Sequence, residues 1–242
     1  MKSPGLCWIS SSDPPEAFPP IENALTEPDG LLAAGGDLSE NRLLYAYRHG
    51  IFPWFDDGQP ILWWSPDPRC VIVPRDLHVS RRLRRTLRRS RFKVSFNREF
   101  RGVMAGCAAP RPGQQGTWIT ADMSSSYEAL HRRGWAHSVE VWLDEELAGG
   151  LYGLSIGGMF FGESMFSTVT DASKVALLAL CRLLDEHGFA LLDCQIVSPH
   201  LLAMGATLMP RSDFQAVLDV ACRTADPFDR WPRGRLAAAD SL

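Results

Sequence analysis

Two carboxylates and an amide are the side chains best spaced to do chemistry together: Glu163, Asp193 and Gln195. Glu163 sits in Gly162-Glu163-Ser164-Met165-Phe166-Ser167, and the other two close Leu191-Leu192-Asp193-Cys194-Gln195. Between these clusters lies a segment of helical character opened by Asp171, carrying Val175, Leu178, Leu180, Leu183 and Leu184 and closed by Gly188. Asp171 is expected to cap it. A strand–helix–strand crossover of this kind places two parallel strands side by side. It would bring Glu163, Asp193 and Gln195 to one sheet edge, where a carboxylate can meet a cation and an amide can orient a polar group. Polar residues at strand ends also serve as purely structural pairs, and the residue types alone leave both readings open.

The elements that must position these residues follow from the rest of the chain. A length of 242 residues, 45% hydrophobic and 22% charged, is that of a globular protein at the border between one large domain and two smaller ones. No apolar run approaches the roughly 20 residues of a membrane span. The start, Met1-Lys2-Ser3-Pro4-Gly5, lacks the apolar core of a signal peptide, so a cytoplasmic location is expected. The six cysteines form no C-x-x-C pair, and the histidines show no ligand spacing. Neither a zinc site nor a disulfide framework is expected. Cys181 and Cys194 read as small buried hydrophobes.

Residues 1–30 are proline-rich and read as extended, and 31–36 as a compact turn. Ser39 caps an expected helix over 40–49. Aromatics crowd 51–66, the best boundary between a small N-terminal domain (1–66) and a larger mixed α/β domain (67–242). A short strand at 70–74 precedes a helix over 77–91. That helix has Val79, Leu83 and Leu87 on one stripe and Arg81, Arg82, Arg84, Arg85, Arg88, Arg89 and Arg91 over most of the rest. Like charges at i, i+4 repel, so this surface is suited to a polyanion and to phosphate in particular. A strand at 92–96, a helix at 98–107, a loop at 108–116 and a helix capped at Ser124 follow. Alternation then marks a β-meander from Ser138 to Phe161. An apolar strand at 190–197 and two short helices near 200–204 and 213–223 come next, and 225–242 reads as peripheral.

Taken together, several blocks resemble the leucyl/phenylalanyl-tRNA–protein transferases, bacterial enzymes of the N-degron pathway. They are Gly30-Leu31-Leu32-Ala33, Gly35-Gly36-Asp37-Leu38-Ser39, Gly50-Ile51-Phe52-Pro53-Trp54-Phe55, Trp63-Trp64-Ser65-Pro66-Asp67-Pro68-Arg69, Thr117-Trp118-Ile119, His137-Ser138-Val139-Glu140-Val141-Trp142, Gly149-Gly150-Leu151-Tyr152-Gly153, 162–167, Ala172-Ser173-Lys174 and Asp193-Cys194-Gln195. They run in order over about 17–212. The resemblance implies an α/β (α+β) fold, with a small N-terminal domain and a GNAT-like acyltransferase C-terminal domain. It implies transfer of Leu or Phe, and less of Met, from aminoacyl-tRNA to proteins beginning with Arg or Lys. Ester-to-amide transfer is downhill, so no cofactor or metal is expected, and a monomer is the default. It assigns catalysis to Asp193 and Gln195 and the acceptor site to Glu163. The tRNA 3′ end goes to Trp54, Trp118 and Tyr127, and the aminoacyl pocket to Leu151, Phe160 and Met165, with Leu180, Leu184 and Leu192 near it. The arginines Arg81, Arg82, Arg84, Arg85, Arg88 and Arg89 would grip tRNA phosphates.

Ester aminolysis needs positioning and a proton acceptor. The expected arrangement has the Gln195 amide oxygen facing the attacking amine, with its NH2 held by Asp193. Two other readings are an acetyl-CoA-dependent GNAT enzyme and a non-catalytic RNA-binding protein. The first lacks its Gly-rich pyrophosphate turn here. The second leaves Glu163, Asp193 and Gln195 without a role.

Overall fold

The proline-rich start of the chain is recruited into a small sheet of its own. In this computed structural model, which describes residues 5–89, 91–110, 119–223, 229–232 and 237–238, β1 (Cys7–Ile9) lies parallel to β2 (Leu31–Gly35). Helix α1 (Glu40–Arg48) follows, then β3 (Phe52–Pro53) and β4 (Leu62–Trp64), giving the order β1-β2-β4-β3. The stretch expected as a compact turn at 31–36 is thus a strand as far as Gly35. Its five residues are all buried and the strand is flanked by β1 on one side and β4 on the other, and a central strand needs no alternation to be stable.

The second sheet has eight strands. Along the chain come β5 (Arg69–Ile72), α2 (Arg81–Arg89), β6 (Lys93–Phe96), α3 (Phe100–Ala108), α4 (Ala121–Arg132), β7 (Ala136–Leu143), β8 (Glu146–Ile156), β9 (Met159–Ser167), α5 (Ala172–Glu186), β10 (Leu191–Gln195), α6 (Pro199–Ala203), β11 (Thr207–Met209), α7 (Arg211–Ala221) and β12 (Ala237–Ala238). Their order in the sheet is β11-β5-β10-β9-β8-β7-β6-β12. The meander β7-β8-β9 and the crossover β9–α5–β10, with β9 and β10 parallel, both follow the pattern expected from periodicity. One face of the sheet packs Tyr127, Tyr152, Phe161 and Phe214 together with Tyr47 and Trp63 of the small sheet's neighbourhood. The other face packs Phe160 and Leu192 against Leu83 and Leu87 of α2 and the apolar side of α5.

Several local expectations give way to tertiary contacts. Helix α2 begins at Arg81 rather than Leu77, because the His78 N–H donates to the Met204 carbonyl at 2.9 Å and is lost to a helix there. Thr120, not Ser124, caps α4 by accepting from the Met123 N–H at 3.2 Å. Asp171 has φ +71° and makes no capping bond. Its carboxylate is taken by Thr86 and Lys174 at 3.1 and 2.7 Å. Trp231, in the tail read as peripheral, is 6% exposed and stacks on His137.

Two bulges set the geometry that matters. Phe161 and Phe166 both face the core shared with the small sheet, although strict alternation puts residues an odd number apart on opposite faces. The register resolves this: Gly153 pairs with Gly162 and Tyr152 with Ser164, so Glu163 is the extra residue of a bulge in β9. On the neighbouring strand Val71 pairs with Asp193 and Cys70 with Gln195, making Cys194 the extra residue in β10. The first bulge depends on a bare backbone at Gly153, where a Cβ would lie 2.1 Å from the Phe161 carbonyl oxygen. Gly153→Ala is therefore expected to lower stability in urea unfolding by about 1–3 kcal/mol through overpacking. A cost under a few tenths would show that the bulge tolerates a side chain there.

Candidate active site

The site is built on a buried ion pair. Arg69, at the start of β5, donates from Nε and Nη2 to the two oxygens of Asp193 in β10, at 2.9 and 2.8 Å. Both side chains are essentially inaccessible, at 1% and 0% exposed. The Arg69 Nη1 donates to the Gly50 carbonyl at 3.0 Å, and the guanidinium lies between the rings of Phe52 and Phe214, 4.7 and 4.8 Å from their centroids. A buried charge is tolerated when paired and hydrogen-bonded in this way.

Asp193 then sets Gln195. Its Oδ1 accepts from the Gln195 backbone N–H at 2.9 Å, and Gln195 takes φ +63°, an uncommon conformation for a residue with a side chain. The expected contact between Asp193 and the Gln195 amide NH2 is not formed. That NH2 donates instead to Glu163 Oε1 at 2.8 Å. The reason is geometric, since both Asp193 oxygens are already taken by Arg69 and a backbone N–H while the β9 bulge turns Glu163 toward Gln195. Asp193 thus holds the Gln195 main chain and Glu163 holds its side chain.

Glu163 is the hub of the polar cluster. Besides Gln195, Tyr47 donates to its Oε1 at 2.7 Å and Tyr127 to its Oε2 at 3.0 Å, and the two phenols also bond each other. Burial pushes the Glu163 carboxyl up to about 7, against the opposing pull of the bonds from Tyr47, Tyr127 and Gln195. Burial, and next to it the charge of Glu163, raises the phenols of Tyr47, Tyr127 and Tyr152 well above their ordinary value. All three stay protonated near neutrality; Tyr47 and Tyr127 donate to Glu163, while the buried Tyr152 hydroxyl has no hydrogen-bond partner among the described residues.

Glu163 also lines a cavity of about 630 Å³, whose wall includes Leu151, Met165, Leu177, Leu180, Leu192 and Cys194. Its wall is mainly apolar in area, with Ser164, Ser167, Thr168, Ser173, Ser198 and His200 adding polar groups beside Glu163, a mixed lining that suits a small-ligand site. Leu151 and Met165 thus reach the cavity as expected, while Phe160 is fully buried behind it against Trp231. Leu180 and Leu192 line the cavity; Leu184 belongs to the packed core. Tyr127 is 0% exposed, so its ring has no free face. Trp54 is 41% exposed, in contact with Trp64 on the small sheet. Trp118 lies outside the described residues. Arg81, Arg82, Arg84, Arg85, Arg88 and Arg89 are all exposed, with Leu83 and Leu87 turned into the core.

Sequence reasoning missed Arg69, Tyr47 and Tyr152. A signal for the first was present: one cation opening the apolar strand Arg69-Cys70-Val71-Ile72 must find a buried anion. Among the described residues no group of three or more His, Cys, Asp or Glu side chains is placed to hold a metal ion, and no helix is long and apolar enough to cross a membrane.

Residues 71–219 match the family described as leucyl/phenylalanyl-tRNA protein transferase, and 36–67 match that family's N-terminal domain. A leucyl/phenylalanyl-tRNA–protein transferase of Ectopseudomonas mendocina (strain ymp) is 59% identical over 209 residues, covering 86% of this chain and 92% of that protein. Its counterpart in Pseudomonas aeruginosa (strain LESB58) is 57% identical with the same coverage. That of Azotobacter vinelandii (strain DJ / ATCC BAA-1303) is 58% identical over 202 residues, or 84% of this chain and 89% of that one. Among solved structures, L-PGS from Bacillus licheniformis overlaps at a TM-score of 0.43 with 8% identity, covering 77% of this chain and 71% of that one. That likeness is too weak to carry an argument.

The ion pair yields a test that needs no substrate. Arg69→Met strands a buried carboxylate and is expected to cost about 3–5 kcal/mol in urea unfolding, whereas Arg69→Met with Asp193→Leu removes both charges and should recover most of that loss. A double variant no more stable than the single one would mean that the pair is not the source of the cost.

Proposed function

The chain belongs to the leucyl/phenylalanyl-tRNA protein transferase family, and on that premise we propose that it moves Leu or Phe, and less readily Met, from aminoacyl-tRNA to the α-amine of proteins beginning with Arg or Lys. The modified proteins are thereby marked for degradation by the N-degron pathway. In this reading the enzyme is a cytoplasmic monomer, with residues 1–66 as the small domain and 67–242 as the GNAT-like transfer domain. The observation that carries it is the polar chain Arg69–Asp193–Gln195–Glu163 set against the apolar cavity. The cavity takes the aminoacyl side chain against Leu151 and Met165, with Phe160 backing the wall, and the polar chain meets the reacting groups.

The step is aminolysis of an ester. The acceptor's neutral amine attacks the aminoacyl carbonyl carbon, the C–N bond forms, the ester C–O bond breaks and the ribose hydroxyl of the tRNA leaves with a proton. The amide product is more stable than the ester, so the reaction needs no other source of energy. An α-amine with a reference pKa of roughly 7.7–8.0 is partly neutral near pH 7.5, and holding it against the ester supplies much of the rate. Gln195 gives its NH2 to Glu163 and so turns Oε1 toward the amine as a hydrogen-bond acceptor. Asp193 keeps Gln195 in that pose through the backbone. Glu163 faces the acceptor's cationic side chain and becomes the better partner as it ionises. Trp54, with Trp118, stacks the terminal adenosine, and Tyr127 contributes through Glu163. The exposed arginines of α2 hold phosphates without reading sequence, so tRNA affinity should fall steeply with salt.

Labelled leucine on tRNA should transfer to a peptide beginning with Arg and not to one beginning with Ala, with ATP and CoA left out. Gln195→Ala should lower the maximal rate at least about tenfold. A loss within threefold, under about 0.7 kcal/mol in the barrier, would remove Gln195 from the mechanism. The raised carboxyl of Glu163 predicts a pH effect on the acceptor. Because Glu163 gains charge as pH rises through about 7, KM for the Arg peptide should fall between pH 6 and 8. Glu163→Gln should raise KM at pH 8 and leave only the pH dependence due to the acceptor amine's own titration, which both proteins share, while sparing KM for aminoacyl-tRNA. The same KM profile in both proteins would place Glu163 away from the acceptor.

A further inference from the structure

The outward margin of the small sheet carries a feature that the proposed reaction leaves unused. In β1, Ile9 is buried in the core, while the adjacent Trp8 is 68% exposed, more than any other large hydrophobic among the described residues. Pairing carries its face across the sheet. Trp8 is opposite Ala34, and Ala34 is opposite Leu62, and residues paired in this way share a face. Trp64, two residues beyond Leu62, stands on the same face. Its indole N–H donates to the Trp54 carbonyl at 2.7 Å, and its ring centroid lies 5.7 Å from that of Trp54. One row therefore runs from Trp8 over Ala34 and Leu62 to Trp64 and Trp54, open only at its ends, since Ala34 is buried and Leu62 and Trp64 are half-buried against the core. Two strands, β2 and β4, separate its exposed ends, about 14 Å at the usual strand spacing.

The indole of Trp8 leans on the chain rather than standing free. A Cβ on Gly35 would lie 3.1 Å from Trp8 Cε2, so the ring edge rests close to the β2 backbone at Gly35. An aromatic ring supported on one side and open on the other is what base stacking requires, and such stacking tolerates any base. Asp56 and Asp57, both exposed just beyond Trp54, repel phosphate, so a strand stacked along the row must keep its backbone turned away from them.

We propose that Trp8 is a second stacking platform for RNA, taking an unpaired base that precedes the terminal adenosine in the single-stranded 3′ tail of the tRNA. This rests on the assignment of Trp54 to the tRNA end. The platform adds affinity and aims the tail along the sheet toward the transfer site, and it reads no sequence.

The test uses the full-length protein, intact tRNA, and the same tRNA trimmed of its unpaired 3′ nucleotides. Trp8→Ala should weaken intact tRNA about fivefold or more, the low end for loss of one base–aromatic stack, and Trp8→Phe should restore most of it. All three proteins should bind trimmed tRNA alike, and unchanged thermal unfolding of Trp8→Ala would confirm that the fold survives. Intact tRNA bound within twofold of wild type, or an equal loss on trimmed tRNA, would overturn the proposal. So would unchanged tRNA binding with a raised KM for the acceptor peptide, which would give the row to the protein substrate. Wild-type leucine transfer measured alongside separates the two levels: transfer with an unaffected Trp8→Ala removes only the platform, whereas neither transfer nor tRNA binding in wild type removes the functional reading as well.

Discussion

Everything near the site hangs on the contact between Arg69 and Asp193. One guanidinium joins β5 to β10 through the carboxylate, reaches the Gly50 carbonyl at the end of α1, and is gripped by Phe52 of the small sheet and Phe214 of α7. Four parts of the chain far apart in sequence therefore meet on one planar cation. The Coulomb energy of such a pair is largely offset by the cost of drying both charges, so its net contribution to stability is small. Its worth is in geometry. A guanidinium fork accepts a carboxylate in few orientations, and the one adopted leaves Asp193 Oδ1 able to accept the Gln195 N–H and hold the positive φ. The pair thus fixes a strained backbone that apolar packing would let relax.

The second constraint is the coincidence of two bulges on neighbouring parallel strands. A bulge adds a residue without lengthening the partner, and so re-aims a side chain at little cost to the ladder. In β9 the extra residue is Glu163 itself; in β10 it is Cys194, just before Gln195. With regular strands, Phe161 and Phe166 would face opposite sides, and one of them would leave the core. With the bulge both stay buried, and the strand beyond Glu163 turns Met165 to the cavity instead. Packing and polar geometry are consistent with each other only in this register, which is why Gly153, with no side chain to strike the Phe161 carbonyl, stands opposite.

Much of this was legible in the sequence. The crossover β9–α5–β10, the meander and the arginine face of α2 follow from periods of 2 and 3.6, because burial alone dictates those patterns. So did the meeting of Glu163, Asp193 and Gln195, which needed only the crossover. What was not legible is how they meet. Which carboxylate takes the Gln195 amide depends on two single-residue bulges and on Arg69, 124 positions from its partner, and no local pattern encodes these. The same limit explains 31–36, where a strand of Leu, Ala and Gly paired on both sides resembles a turn in composition, and Trp231, whose burial depends on the distant His137.

The charge distribution follows a division of labour. The net charge of −3 is uneven, since the arginines of α2 face solvent while Arg69 and Asp193 cancel inside. An exposed arginine row acts at long range and is screened by salt. The site acts at contact range, in an environment dry enough to move the Glu163 carboxyl to about 7. A carboxyl poised there costs little to bury when neutral and is readily ionised by a cation that comes to meet it. In the proposed reading, long-range capture of a polyanion and short-range reading of a cation would conflict if they shared one surface, because an arginine row beside Glu163 would pull its pKa back down and repel the acceptor. Placing the row on α2 and surrounding Glu163 with uncharged phenols and an amide would let both operate in one small protein.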